Sequence, residues 1–194
     1  MIFQFQINSW KSLITFGIYK FIYFFELNII MADLHTVTST IILVNDKGKF
    51  LIAKRSDNLK NFAGKWTVPG GKLEKKDYFN RSPDTKGNQW YNVIEDSLKR
   101  EVKEEVGLDL LDMEYLVSLA FIRHDGIPAV VLSFYSQNYR GDIKLSEELT
   151  DCKWVSLEEL KNYDLIEGIY EELELVDKKL KGAKESWIGK YDKE

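Results

Sequence analysis

Residues 100–108 read Arg100-Glu101-Val102-Lys103-Glu104-Glu105-Val106-Gly107-Leu108. On a helix, Glu101 lies i, i+3 and i, i+4 from Glu104 and Glu105, so the three carboxylates share one face. Leu98, Val102 and Val106 recur at i, i+4, i+8 and form an apolar stripe beside it, which predicts a helix over Val93–Val106. Asn92 with Glu95 three residues on reads as a capping-box start, and Gly107 as the stop. Clustered like charges cost stability unless a cation offsets them, and carboxylate oxygens at this density suit Mg²⁺ or Mn²⁺. Taken alone, the stretch is better explained as a solvated acidic face partly paired with Arg100 and Lys103.

A second element, Gly64-Lys65-Trp66-Thr67-Val68-Pro69-Gly70-Gly71-Lys72-Leu73-Glu74, changes that balance. An apolar strand runs into Pro-Gly-Gly, where the chain can turn sharply and bring its backbone against a ligand. Backbone N–H groups and Lys72 could meet phosphate oxygens there. Around these elements the pattern is strand-rich. Thr36–Val44 and Lys49–Arg55 flank Asn45-Asp46-Lys47-Gly48 and read as a hairpin. Glu114–His124 and Pro128–Tyr139 form another pair around Asp125-Gly126-Ile127. Ser156-Leu157-Glu158-Glu159 opens a second helix, and a third runs from about Ile166 to Lys181. Strands, helix, strands, then helices indicate an α+β fold with helices packed on the faces of a sheet.

The composition bounds the setting. A chain of 194 residues has the length of one domain with an appendage. One cysteine, Cys152, excludes an intrachain disulfide framework and fits a reducing, cytoplasmic location. Two histidines, His35 and His124, leave little room for a histidine-rich metal centre. With 27 Lys plus Arg against 31 Asp plus Glu the net charge is −4, which argues against a broad nucleic-acid surface but not against a local phosphate pocket. Residues 1–30 differ in kind: Ile, Phe, Tyr, Leu and Asn dominate, with Lys11, Lys20 and Glu26 as the charges. Ser12–Ile30 has about the minimum length of a membrane span, but Lys20 and Glu26 interrupt it, and no signal-peptide cleavage site follows. The preferred reading is an upstream-start artefact before Met31, the alternative an anchor. Either way, the segment is expected to stand outside a single domain over residues 31–194.

At this point the sequence resembles the Nudix (MutT-like) hydrolase superfamily, whose box reads GX5EX7REUXEEXGU, U being a bulky aliphatic residue. Arg100–Leu108 matches its second half, and Gly70-Gly71-Lys72-Leu73-Glu74 its opening. The likeness extends from about Thr36 to Leu160. The departure is length: Gly71 precedes Arg100 by twenty-nine residues where the pattern has fourteen, an insertion of about fifteen residues near 75–89 with the composition of a surface loop. Counting back eight from Arg100, the box's first glutamate position holds Asn92, which supplies no carboxylate, and Asp77, Asp84 and Glu95 stay open as the acid that compensates.

The resemblance implies an α/β/α sandwich around a mixed sheet, with the box as a loop-helix-loop motif. It also implies Mg²⁺- or Mn²⁺-dependent cleavage of a pyrophosphate bond in a nucleoside diphosphate linked to another moiety: a (d)NTP, a nucleotide sugar or ADP-ribose. Carried over by position, Glu101, Glu104 and Glu105 become metal ligands, with Glu104 or Glu105 indispensable to catalysis. Arg100 would orient Glu104 one turn on, and Glu148, six residues before the closing Trp154, would be a further ligand. Arg55, Gly70, Gly71, Lys72 and Glu74 are the candidates for substrate contact. A homodimer fits the resemblance. Trp66, Phe62 and Phe121 could stack a base, although aromatic residues beside strands are more often core. Two alternatives stand beside the hydrolase: a nucleotide-binding module weakened by Asn92 and the insertion, and an RNA 5′-pyrophosphohydrolase.

Overall fold

A computed structural model describes residues 34–183; the apolar leader and residues 184–194 lie outside the described residues. Four strands form a mixed sheet in the order β4-β1-β7-β6: β1 (Thr36–Leu43), β4 (Gly70–Lys72), β6 (Glu114–Ile122) and β7 (Pro128–Ser136). β1 runs parallel to β7 and antiparallel to β4, and β6 closes the far edge antiparallel to β7. A second sheet holds β3 (Trp66–Thr67), β2 (Phe50–Arg55) and β9 (Leu149–Val155), and a short ribbon pairs β5 (Asp109–Leu110) with β8 (Tyr139–Arg140). Three α-helices are described: α1 (Lys76–Phe79), α2 (Val93–Val106) and α3 (Ile169–Leu180). None is long and apolar enough to cross a membrane.

Alternation along β1 divides the core in two. Ile41 and Leu43 face α2, where they pack with Leu51, Ala53, Leu98, Val102 and Val106. Ile42 faces the other way and packs with Tyr135, Ile169, Leu173 and Val176 under α3. The sheet is therefore sandwiched by helices, and the stripe predicted for Val93–Val106 is the buried seam of α2. Leu98 is wholly buried, so Leu98→Ala is expected to cost about 2–5 kcal/mol of unfolding free energy. Urea denaturation reads this as a lower midpoint at unchanged slope. A loss below about 1 kcal/mol would mean that the seam closes around the void.

Two local expectations are corrected. β1 and β2 do not pair as a hairpin. Asn45 does turn the chain, its side-chain oxygen accepting the N–H groups of Lys47 and Lys49. Beyond a single Val44–Phe50 bridge, however, the strands diverge into different sheets. β1 takes β4 and β7 as its partners, and β2 takes β3 and β9. Asn92 makes no capping box either: it stands at φ 57°, ψ 26° with no side-chain cap, a left-handed conformation that asparagine tolerates well. The capping box at Ser156 does form, with Ser156 N–H on the Glu159 carboxylate and Glu159 N–H on the Ser156 hydroxyl, but it starts only a 3-10 turn, Glu159–Asn162.

Candidate active site

The turn into β4 meets the acidic face of α2. Gly70 N–H donates to Glu105 Oε2 at 2.9 Å. A Cβ at Gly70 would overlap the Ser39 carbonyl oxygen, and one at Gly71 would overlap the Glu101 carboxyl group. Both glycines are therefore required by close approach, which places two carboxylates directly against the turn. Glu105 is only 8% exposed. Burial pushes its carboxyl up to about 7; the Gly70 N–H opposes this, Glu101 adds to it, Arg55 opposes it and Glu148 adds to it. That ordering also locates the neighbours: Arg55, at the end of β2, and Glu148 both act on Glu105. The backbone joins them, since Ser56 N–H donates to the Glu148 carbonyl and Ser146 N–H to that of Glu105.

Arg100 organises the other half of the face. Its Nη1 lies 2.8 Å from Glu104 Oε2, its Nη2 2.9 Å from Glu101 Oε1, and its Nε 2.6 Å from Asp77 Oδ1. Nη2 also donates to Asp77 Oδ2 at 3.2 Å. Burial raises the Glu101 carboxyl, the Arg100 charge and hydrogen bond only partly restore it, and the Glu104 and Asp77 charges add to the rise. Glu104 is different, since its side chain is 55% exposed and lies at the rim. It lines a cavity of about 460 Å³ with Lys76, Asp77, Asn80, Asp96 and Arg100.

Of the three acids left open to compensate for Asn92, Asp77 is the one that meets Arg100. Its side chain is only 2% exposed. Burial favours its neutral form, but Arg100, the Glu74 N–H and the Ser97 hydroxyl hold the carboxyl below the usual range. Counting forward from Gly71 by the GX5E spacing lands on Asp77, so the signal was present in the opening of the box. The extra fifteen residues then fall between Asp77 and Arg100, twenty-three residues apart where the pattern has eight. Asn92 is thereby relieved of the glutamate's task.

The inserted stretch is more than a surface loop. It begins with α1, and Trp90 packs on Tyr78 and Phe79. Trp90 Nε1 donates to the Arg81 carbonyl, while the Arg81 guanidinium binds Asp84 and the Tyr91 carbonyl. The remaining candidates are placed less centrally. Lys72 turns its carbonyl to Ser97 and Arg100, and its side chain is exposed. Glu74 pairs with Lys76 at the surface. Trp66 is core, edge-on to Tyr163, whereas Phe62 and Phe121 are exposed rather than buried.

Among the described residues, no three Asp, Glu, His or Cys side chains converge as a finished metal centre. The chemistry of the donor set nevertheless fits a hard divalent cation. Glu101 and Glu105 crowd like charges where burial penalises ionisation, the exposed Glu148 adds its charge to Glu105, and a cation there relieves the penalty.

The NUDIX domain model matches residues 34–175. The chain belongs to the NUDIX family. Nucleoside triphosphatase NudI of Escherichia coli O81 is 30% identical over 133 residues, 63% of this chain and 84% of the relative. Its counterpart in Klebsiella pneumoniae is 28% identical over 134 residues with the same coverage. The crystal structure of a MutT protein from Methanosarcina mazei superposes with a TM-score of 0.59 at 28% identity, covering 76% of this chain and 96% of that one. The sandwich is thus a Nudix fold, and this Nudix protein is an enzyme of the pyrophosphohydrolase type.

Proposed function

We propose that this Nudix hydrolase cleaves nucleoside triphosphates with the help of Mg²⁺ or Mn²⁺, held by Glu101, Glu105 and Glu148. The observation that carries the reading is the buried Glu105 carboxylate, fixed by the Gly70 N–H among Glu101, Glu148 and Arg55. The choice of a triphosphate is supported by the name of the relatives that share 28–30% of the sequence.

When bound, the cation supplies charge neutralisation for the pyrophosphate bridge and lowers the pKa of an attacking water. The chain's own groups divide the rest. Glu105 and Glu101, pinned against the Gly70-Gly71 turn, present hard oxygens at a point set by backbone rather than by loops. Glu104, tethered only through Arg100 and open to the cavity, can take the water's proton. Arg55 faces the same corner with a positive charge suited to a phosphate oxygen. Asp77 holds Arg100, and Arg100 in turn fixes Glu101 and Glu104. With Asp77 in place, Asn92 no longer argues for a weakened binding module.

The test is a panel of NTPs, dNTPs, ADP-ribose and nucleotide sugars, each with Mg²⁺, with Mn²⁺ and with a chelator. Release of phosphate or pyrophosphate from triphosphates, abolished by the chelator, is expected. Turnover confined to ADP-ribose or nucleotide sugars would overturn the substrate class, and turnover undiminished by the chelator would overturn the cation.

A further inference from the structure

The insertion opens with α1, and α1 brings two side chains to the catalytic rim. Lys76 and Asn80 stand four residues apart, on one side of its single turn. Both line the cavity of about 460 Å³ that Glu104 also lines, with Asp77, Asp96 and Arg100 completing its wall. The turn that carries them is fixed from both ends. Asp77, the next residue after Lys76, is clamped by Arg100, and Tyr78 and Phe79 pack on Trp90.

The other four lining groups are already engaged. Asp77 and Glu104 pair with Arg100, Arg100 also with Glu101, and Asp96 faces Arg81 at 3.8 Å. Lys76 has a single ion pair, to Glu74 at 2.5 Å, and three N–H donors to place. Among the described residues, the Asn80 amide has no hydrogen-bond partner. The charges of Arg100 and Glu104 both act on Lys76, so its ammonium stands close to the rim.

The chemistry of the wall selects among ligands. All six lining side chains are polar, so a nucleobase finds no ring or branched apolar group to stack on. A phosphate group finds a cation and a neutral N–H donor side by side. Of the two cations in the wall, Arg100 is taken by three carboxylates, and Lys76 is the one left to meet an anion. Glu74 sets the direction of that ammonium rather than meeting phosphate itself.

We propose that Lys76 and Asn80 form a specificity-determining pair that holds the phosphate group at the free end of the substrate's phosphate chain. The insertion thereby sorts nucleotides by the number of their phosphates. The inference rests on the nucleotide-hydrolase reading above and adds how chain length is recognised.

The experiment compares wild type, Lys76→Ala, Lys76→Arg and Asn80→Ala in two assays with Mg²⁺. Both positions are exposed, so the variants are expected to unfold at the wild-type temperature. In the first assay, kcat and KM are measured for a nucleoside triphosphate and for the diphosphate of the same base. The ratio of their kcat/KM values is expected to fall by about 10–100-fold in Lys76→Ala, the size of a hydrogen bond to a charged group, and by less in Asn80→Ala. The loss should lie in KM, since the contact is made equally before and during the reaction. Lys76→Arg should keep most of the preference. A merely structural role reads differently: loosening Asp77 from Arg100 lowers kcat and raises the Mg²⁺ requirement for both nucleotides. In the second assay, calorimetry measures the binding of inorganic pyrophosphate, which needs no turnover. Binding about 10-fold weaker in Lys76→Ala and retained in Lys76→Arg supports the proposal even where wild type turns over no triphosphate, a result that counts against the substrate class alone. Triphosphate and diphosphate falling by one common factor, or pyrophosphate bound equally by wild type and Lys76→Ala, overturns the proposal.

Discussion

Glu105→Gln is expected to lower kcat by at least about 10³-fold, corresponding to the several kcal/mol of charge stabilisation that a cation contributes to a displacement at phosphorus. Glutamine keeps the shape and can still accept the Gly70 N–H, so the folded state should survive the change. It should even gain from it in the absence of metal. The folded Glu105 carboxyl titrates near 7, raised by burial above its ordinary 4.5. A group raised in this way favours the folded state most below pH 4.5 and withdraws that contribution as the pH climbs through 7. In chelator, wild-type stability should therefore fall between about pH 5 and 8 by roughly 1–3 kcal/mol, while Glu105→Gln loses none of it. Urea titrations at several pH values read this directly. A Glu105→Gln protein with near-normal kcat would remove Glu105 from the chemistry, and identical pH slopes would show that its carboxyl is not strained in the fold.

Asp77→Ala is the second large effect. Arg100 loses its deepest partner, and the residue that orients Glu101 and Glu104 is left half-anchored. Loss of such an outer partner typically costs about 10–100-fold in activity or metal affinity. The loss should show as a higher Mg²⁺ requirement, with far-ultraviolet circular dichroism unchanged. Asp77→Glu should keep most activity, because the longer acid can still reach the guanidinium. Asn92→Glu should rescue nothing, since position 92 is held at a positive φ and turns no carboxylate to Arg100. Full activity in Asp77→Ala would return the box's first acidic position to being empty.

The contrast between Asp77 and Asn92 shows what sequence could and could not reveal. The helix over Val93–Val106 was legible because its stripe is a local repeat, and its observed ends agree with the expected ones. The pair of strands around Asp125-Gly126-Ile127 was legible for the same reason. β1 and β2 were not, because a β-branched run states its tendency to extend without stating its partner, and their partners are β4 and β7 for β1, β3 and β9 for β2. Asp77 could be named but not singled out from Asp84 and Glu95, because the insertion breaks the spacing on the Arg100 side. Proximity across the fold, which makes each of these residues matter, is the property that a linear pattern carries least.

The inserted segment also has an engineering consequence. Its two ends are clasped where Arg81 and Asp84 meet Tyr91, so the stretch between them is a closed handle whose base does not move with its length. Doubling a flexible loop costs only about 0.6 kcal/mol of closure entropy. A foreign peptide or a reporter domain spliced between Thr85 and Asn88 should therefore leave the catalytic carboxylates in register, making this interrupted box a natural socket for building a sensor whose output is nucleotide turnover.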